Sequence, residues 1–367
     1  MSESAPPPQV PDPSYVPVRL IDPEGRPVAH EHYAMPPDDV LLDRYRAMVI
    51  GRRTDEQASA LVRQGRLAVY PSSQGQEACQ VAAAAALREG DWLFPTYRDT
   101  VAIASRGVDP VEVLLMLRGD WHCGYDPTVH HVAPQATPLA TQLLHAVGVG
   151  HAASLQGRDT VVMALCGDGA TSEGDFHEAL NFAAVFRAPA IFFVQNNKYA
   201  ISVPLARQSV ASSLAAKGVG YGVPALQVDG NDAAALTMVL AEAVDRARAG
   251  DGPTLVEADT YRVQAHTNAD DATRYRTEQE VQQWLARDPI ARLRTLLCDR
   301  GVLDDALEAV YRQEAEAVAE HVRTGLAQEA EADPAELFAH VYATPTPQLV
   351  AQAALLRDEL EAVEVAR

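Results

Sequence analysis

Two unbroken apolar runs bracket a helical pattern near the middle of the chain. Val161 to Cys166 (VVMALC) has no polar interruption, as expected of a strand buried on both faces of a parallel sheet. Gly167-Asp168-Gly169 ends it in a sharp turn, and Thr171 or Ser172 can cap a helix from about Glu173 to Phe186. Pro189 breaks that helix, Ala190 to Val194 reads as a second buried strand, and Asn196-Asn197 follows its end. The unit is βαβ, and its right-handed crossover brings both strand ends to one edge of a sheet.

The rest of the chain extends the same alternation. Residues 1–37 hold ten of the 24 prolines and predict an extended arm, partly disordered, wrapping the surface or a neighbouring subunit. Asp38 to Gln64 predicts one or two helices, and Leu67 to Tyr70 a short extended piece. Ser72 to Glu77 leads into an alanine-rich helix ending near Arg88. Asp91 to Pro95 predicts a strand and Val111 to Arg118 a helix. Gly119 to Ala136, with Trp121, His122, His130 and His131, has the mixed polarity of a loop. Thr137 to Gln142 opens a long helix to about Leu155. A Ser/Ala-rich crossover helix near Gln208 to Lys217 precedes a strand at Leu226–Asp229, a helix at Ala233–Arg248 and a strand at Thr254–Ala258. Residues 260–277 are polar and aperiodic, hence a loop. Glu278–Arg300 and Leu303 to about Glu331 predict helices, and the tail from Pro334 ends in an acidic one. The expected fold is α/β: a mostly parallel sheet flanked by helices, with its ligand at the strand C-termini. The division is an arm (1–37), an α/β body (38–331) and a helical tail (332–367).

Composition narrows the functions. A formal charge of −20 over 367 residues argues against nucleic acid, which needs a basic footprint. Cys79, Cys123, Cys166 and Cys298 form no C-x-x-C pair, so buried free thiols are expected rather than disulfides. No apolar run approaches a membrane span. No Lys or Arg precedes Arg19, which speaks against a targeting peptide and for a cytoplasmic protein. The His-rich loop lacks a second group of ligands and reads as ordinary loop histidines.

Candidate chemistry gathers at the predicted strand ends. Asp168 and Asn197 lie 29 positions apart, yet adjacent strand ends can approach to about 5 Å. A carboxylate and an amide oxygen converging there are hard ligands suited to Mg²⁺ or Ca²⁺. The backbone N–H groups near Gly169 and Ala170 offer an anion site beside them. A metal joined to a diphosphate fits both halves. A Rossmann loop fits poorly, because Ser172 stands where its last glycine belongs. Arg98, just after a strand, can clamp a phosphate or pair with Asp99. His266 lies in a loop past a strand end on the same edge, where a lone histidine is more often a surface residue.

The stretch GDGATSEGD…NFAA…AP…NN.YAIS resembles the thiamine diphosphate signature, GDG followed by about 26 residues and NN. Its wording is similar to the alpha chain of the decarboxylating first component of 2-oxo acid dehydrogenase complexes, over roughly residues 37 to 330. The resemblance implies the thiamine-diphosphate-binding fold, with Mg²⁺ held by Asp168, Asn197 and the carbonyl of Tyr199. It implies cofactor contacts from Tyr97, Arg98, Thr137, Leu139, Gly167, Asp168, Gly169, Ala170, Asn197 and His266. Leu139 would wedge between the two rings of thiamine diphosphate. His266 would be catalytic, helping to transfer the acyl group to lipoamide. Thr141 and Gln142 match positions that can hold a structural K⁺. Nothing here resembles a beta chain, so the resemblance implies a beta subunit in an α₂β₂ assembly, and a lipoyl acyltransferase core as partner. ATPLATQLLHAVG resembles branched-chain members of the family, and GRLAVYPSSQGQEA equally resembles bacterial pyruvate members. The expected reaction is oxidative decarboxylation of a small 2-oxo acid, branched-chain acids being preferred over pyruvate by roughly 10–200-fold. A pyruvate dehydrogenase alpha subunit, an acetoin dehydrogenase alpha subunit and a non-catalytic diphosphate-binding scaffold are the alternatives.

Overall fold

Alternation inside the apolar runs decides the architecture. In the run around residue 163, Met163 and Leu165 point into one core while Val162, Ala164 and Cys166 point into another. A strand with two apolar faces must be covered on both, and the fold supplies helices on each side. The structure, a computed structural model, describes residues 16–120, 122–327 and 333–365. Its strands are β1 (Trp92–Phe94), β2 (Val162–Gly167), β3 (Ala190–Asn196), β4 (Tyr199–Ala200), β5 (Val203–Pro204), β6 (Ala225–Asp229) and β7 (Thr254–Asp259). Five form one all-parallel sheet in the order β1-β2-β3-β7-β6, and β4 and β5 make a small antiparallel ribbon beside it. Met163 stands beside Ile191, and Phe193 beside Val256. Helices Asp38–Arg63, Glu77–Ala86, Ala233–Arg248 and Pro289–Asp299 cover one face. Thr141–Leu155 and Gly174–Phe186 cover the other. Among the described residues no helix is long and apolar enough to cross a membrane.

One buried carboxylate ties the arm to this body. Asp232 caps the Ala233–Arg248 helix through Oδ1, which accepts from the N–H groups of Ala234 and Ala235. Its Oδ2 accepts from Leu20 and Ile21, each at 2.7 Å. Val18 bridges Val228 in parallel, so residues 16–21 lie against the edge strand of their own chain. The part of the predicted arm before residue 16 falls outside the described residues, as does Trp121 in the loop.

Several expectations need correction. The turn after β2 tightens into a 3₁₀ helix, Asp168–Ser172, and the α-helix starts at Gly174, so Thr171 and Ser172 do not cap it. Thr171 Oγ1 bonds back to the Asp168 carbonyl instead. Residues 137–140 stay out of the following helix, which begins at Thr141 after Ala140 with φ of 64°. No α-helix forms at 208–217. Two 3₁₀ pieces, Leu205–Arg207 and Ala215–Tyr221, take its place, since Gly218, Gly220 and Gly222 offset the alanines. Leu67–Tyr70 is not a strand, although Ala68 and Val69 both bond to the Leu117 carbonyl. The helix predicted over 278–300 is two, Glu278–Leu285 and Pro289–Asp299, because Asp288 caps a new start at Pro289. The next helix runs Asp305–Gly325; its predicted end at Glu331 falls outside the described residues.

Candidate active site

All the parallel strands end on the same edge, and the residues just beyond those ends enclose a cavity of about 470 Å³. The residues assigned to the cofactor and metal in the sequence line it, as does Gln142, while Thr141 does not. Tyr97 and Arg98 follow β1, and Thr137 and Leu139 come from the irregular segment before the Thr141 helix. Gly167, Asp168, Gly169 and Ala170 finish β2 and its 3₁₀ turn. Asn197 and Tyr199 follow β3, and His266 follows β7.

Oxygen atoms crowd one wall. Asp168 is 1 % exposed. Its Oδ2 accepts from Gln208 Nε2 at 2.6 Å, while Oδ1 faces the side-chain oxygen of Asn197 at 3.2 Å. That same Asn197 oxygen lies 3.2 Å from the Tyr199 carbonyl. Its one donor is the Tyr199 N–H, long at 3.4 Å. Tyr199 is turned inward by two residues held in the left-handed region, Lys198 (φ 79°) and Ile201 (φ 55°). Such conformations cost roughly 1–3 kcal/mol each and persist where surrounding structure enforces them. Gly169 permits the close approach: a Cβ there would stand 2.7 Å from that of Ala200. Burial pushes the Asp168 carboxyl above its ordinary range, against the Gln208 hydrogen bond and the charges of Lys198 and Arg262. A carboxylate, an amide oxygen and a carbonyl meeting here, the carbonyl also accepting from Arg262 Nη1 at 3.3 Å, are the donor set of a hard cation. The first asparagine of the pair faces elsewhere: Asn196 Nδ2 donates to Glu257, whose other oxygen takes the Ala215 N–H.

Positive charge gathers beside these oxygens. Arg98 and Arg262 are 5 % and 1 % exposed, yet among the described residues neither guanidinium lies within ion-pair distance of a carboxylate. The pairing of Arg98 with Asp99 that the sequence allowed does not form; Asp99 accepts from Thr96 and Gln195. Arg98 Nη1 donates to the Ser72 carbonyl, and Nη2 to the His266 carbonyl at 3.0 Å. Arg98 Nη2 and Arg262 Nη1 also approach His266 Nδ1, at 3.1 and 3.4 Å. A guanidinium only donates, so Nδ1 is the acceptor and the imidazole proton sits on Nε2. Burial, followed by the two arginine charges, depresses the His266 pKa to about 4 against the weaker pull of Asp270, keeping the ring neutral at pH 7. Tyr97 packs edge-on against that ring, 5.9 Å between centroids. Two buried guanidinium groups with no carboxylate in ion-pair distance among the described residues suit an anion.

Leu139 supplies an apolar element. It is 42 % exposed although the adjoining Ala140 is fully buried, because its side chain borders the cavity. Thr141 Oγ1 bonds Asp175, and Gln142 Nε2 bonds the Leu165 carbonyl, leaving the buried Gln142 Oε1 without a partner among the described residues. In the 119–136 loop, His122 meets Glu336 and His131 meets the Glu89 carbonyl. Among the described residues no group of three His, Cys, Asp or Glu side chains is placed to hold a metal.

The family description that matches residues 45–336 is "Dehydrogenase E1 component". The chain belongs to that family. Among curated proteins it is similar to the 3-methyl-2-oxobutanoate dehydrogenase subunit alpha of Mycobacterium tuberculosis, at 49 % identity over 345 residues covering 94 % of each chain. The pyruvate dehydrogenase E1 component subunit alpha of Acholeplasma laidlawii is 38 % identical over 347 residues, 94 % of this chain and all of that one. The protein of the same name from Staphylococcus aureus is 41 % identical over 293 residues, 79 % of each chain. A dehydrogenase E1 chain is an oxidoreductase, and the family implies thiamine diphosphate. The E1 cavity also contains residues that sequence reasoning passed over. Arg262 stands three positions past β7 on the ligand-bearing edge, a placement that could have flagged it. Gln76 and Gln195 in the lining, and Gln208 bonded to Asp168, carried no local signal.

Proposed function

We propose that this chain is the alpha subunit of a branched-chain 2-oxo acid dehydrogenase, which decarboxylates 3-methyl-2-oxobutanoate and its homologues oxidatively and passes the acyl group to a lipoyl group. The observation that carries this is the cavity's two-part lining, the oxygens of Asp168, Asn197 and Tyr199 beside the buried guanidinium groups of Arg98 and Arg262, in a chain 49 % identical to a 3-methyl-2-oxobutanoate dehydrogenase alpha subunit. A divalent metal bound to a diphosphate answers both. In this reading Asp168, Asn197 and the Tyr199 carbonyl hold Mg²⁺. Arg98, Arg262, and the N–H groups of Gly169 and Ala170 hold the diphosphate. Thr137 and Leu139 face the ring system, with Tyr97 and Gly167 completing the walls. Thiamine diphosphate, when bound, supplies the nucleophilic carbon and the electron sink for decarboxylation. The chain's own part is to orient that group, exclude water and present the His266 Nε2–H to the acyl group as it leaves for lipoamide.

The carboxylates bordering the cavity are Asp99, Asp168 and Glu173, the first two already engaged and the third exposed. The carboxylate that an aminopyrimidine requires is therefore assigned to a beta subunit in an α₂β₂ assembly, which delivers acyl groups to a lipoyl acyltransferase core. The unpartnered Gln142 Oε1 supports a structural K⁺ nearby, although Thr141 is already engaged by Asp175. A cytoplasmic setting and the division at residues 37/38 and 331/332 belong to the same reading. A pyruvate dehydrogenase is the second reading, favoured by the relatives at 38–41 % identity. Assay of the reconstituted alpha and beta chains with 3-methyl-2-oxobutanoate, pyruvate and acetoin tests the choice. A branched-chain preference of roughly 10–200-fold in kcat/KM is expected, since each substrate methylene contributes about 1–3 kcal/mol. A preference for pyruvate or acetoin refutes the substrate assignment.

A further inference from the structure

Three buried amides form a hydrogen-bonded line whose direction is fixed at one end. Asp99 is fully buried. Its Oδ2 accepts from the Thr96 N–H and hydroxyl, at 2.7 and 2.8 Å, and its Oδ1 accepts from Gln195 Nε2 at 2.7 Å. Gln195 must therefore turn its oxygen the other way, where it accepts from Gln76 Nε2 at 2.9 Å. Gln76 Oε1 in turn accepts from Asn197 Nδ2 at 2.9 Å. The direction passes down the line, and the Asn197 oxygen is left facing Asp168 Oδ1 and the Tyr199 carbonyl.

Taken alone, Asn197 would prefer the opposite orientation. Turned over, its Nδ2 would donate to Asp168 Oδ1 and to the Tyr199 carbonyl, each at 3.2 Å, and the oxygen cluster would close on itself. The line prevents this. A reversed Asn197 sets its oxygen against Gln76 Oε1, and relief by turning Gln76 and then Gln195 ends with an amide oxygen against the Asp99 carboxylate. Each reversal sets two acceptors face to face among side chains that are only 2 %, 2 % and 6 % exposed (Gln76, Gln195 and Asn197).

We propose that Asp99, Gln195 and Gln76 are positioning residues: the line they form holds the Asn197 oxygen toward Asp168 and Tyr199 and so keeps a cation site open before the cation arrives. This rests on the reading of Asp168, Asn197 and Tyr199 as a cation site, and the test separates the two.

The test is Mn²⁺ binding to the full-length chain with thiamine diphosphate present, followed by electron paramagnetic resonance. Asp99→Asn keeps the shape but can offer Gln195 a donor, so the whole line can reverse. Its Mn²⁺ affinity is expected to fall roughly 10- to 100-fold, the scale of misdirected buried polar contacts. Gln76→Glu restores the direction next to Asn197, since a carboxylate can only accept. The double variant should recover to within about 3-fold of wild type, because the amide introduced at position 99 can then donate to the Gln195 oxygen, and Gln195 to the carboxylate introduced at position 76. Gln76→Glu alone should not tighten wild-type binding, its carboxylate facing the Gln195 oxygen that Asp99 holds toward it. Unchanged affinity in Asp99→Asn overturns the proposal. So does a failure of Gln76→Glu to rescue it, or an equal gain from Gln76→Glu in both backgrounds, which would be added charge alone. Should Asp99→Asn not fold, Gln195→Met cuts the line and the same rescue applies. A wild-type chain that binds no Mn²⁺ removes the cation site itself, and the positioning role with it.

Discussion

Asp168→Asn should move cofactor binding and cofactor-free stability in opposite directions. Without a cation the Asp168 carboxylate is buried, with Gln208 on one oxygen and only the Asn197 oxygen before the other. Its pKa is raised by burial. A carboxyl whose folded pKa lies above its unfolded value of 3.8 binds more protons in the folded state, so stability falls as pH rises through the folded value. At pH 7 the ionised group therefore costs stability. An asparagine removes the charge and can donate to Asn197, which should stabilise the cofactor-free chain by about 1–3 kcal/mol. With the metal bound, the balance reverses. Removing one member of a buried ionic pair costs about 3–5 kcal/mol, so Mg²⁺-dependent binding of thiamine diphosphate should weaken roughly 10²- to 10⁴-fold. Calorimetric titration and thermal melts of the same preparation read both effects. A melting temperature that falls together with affinity would mean that Asp168 is a structural residue. Wild-type affinity would mean that the cation sits elsewhere.

Gly169→Ala should weaken metal-dependent binding by about 1–3 kcal/mol, because its Cβ must push Ala200 and hence the neighbouring Tyr199 carbonyl aside; titration with Mg²⁺ checks it, and unchanged affinity would show the ribbon to be free to move. His266 should titrate near pH 4 in the cofactor-free chain by nitrogen-detected NMR, and adding inorganic pyrophosphate should raise that value as the arginine charges find a partner. The unfolded imidazole binds its proton near 6.5, so the folded chain should lose stability between pH 6.5 and 4, and His266→Gln should lessen that loss.

Legibility in the sequence followed the range of the interactions. The helix Ala233–Arg248 agrees with expectation at both ends, since Asp232 caps it and Gly250 at φ 83° turns the chain away. β2 and β3 were legible because a doubly buried strand is apolar throughout. The segment 205–221 was not, because alanine content suggests a helix while its glycines and the hydrogen bond from the Ala215 N–H to Glu257 select 3₁₀ turns. Asp168, Asn197 and Tyr199 were readable from a resemblance, their spacing being local to one βαβ unit. Gln76 and Gln195 were not, since they meet across 119 positions and neither residue alone signals a role. Arg98 needed the tertiary structure to choose between Asp99 and the cavity.

The central claim is that this chain brings a cation and a diphosphate together between β2 and β3. Crystals of the full chain soaked with Mn²⁺ and thiamine diphosphate, measured at the manganese absorption edge, test it most directly. The account predicts one anomalous peak about 2.0–2.2 Å from Asp168 Oδ1, Asn197 Oδ1 and the Tyr199 carbonyl oxygen, with phosphate density reaching from it toward Arg98. Manganese bound away from these three oxygens, or phosphate density that avoids Arg98 and Arg262, would contradict it.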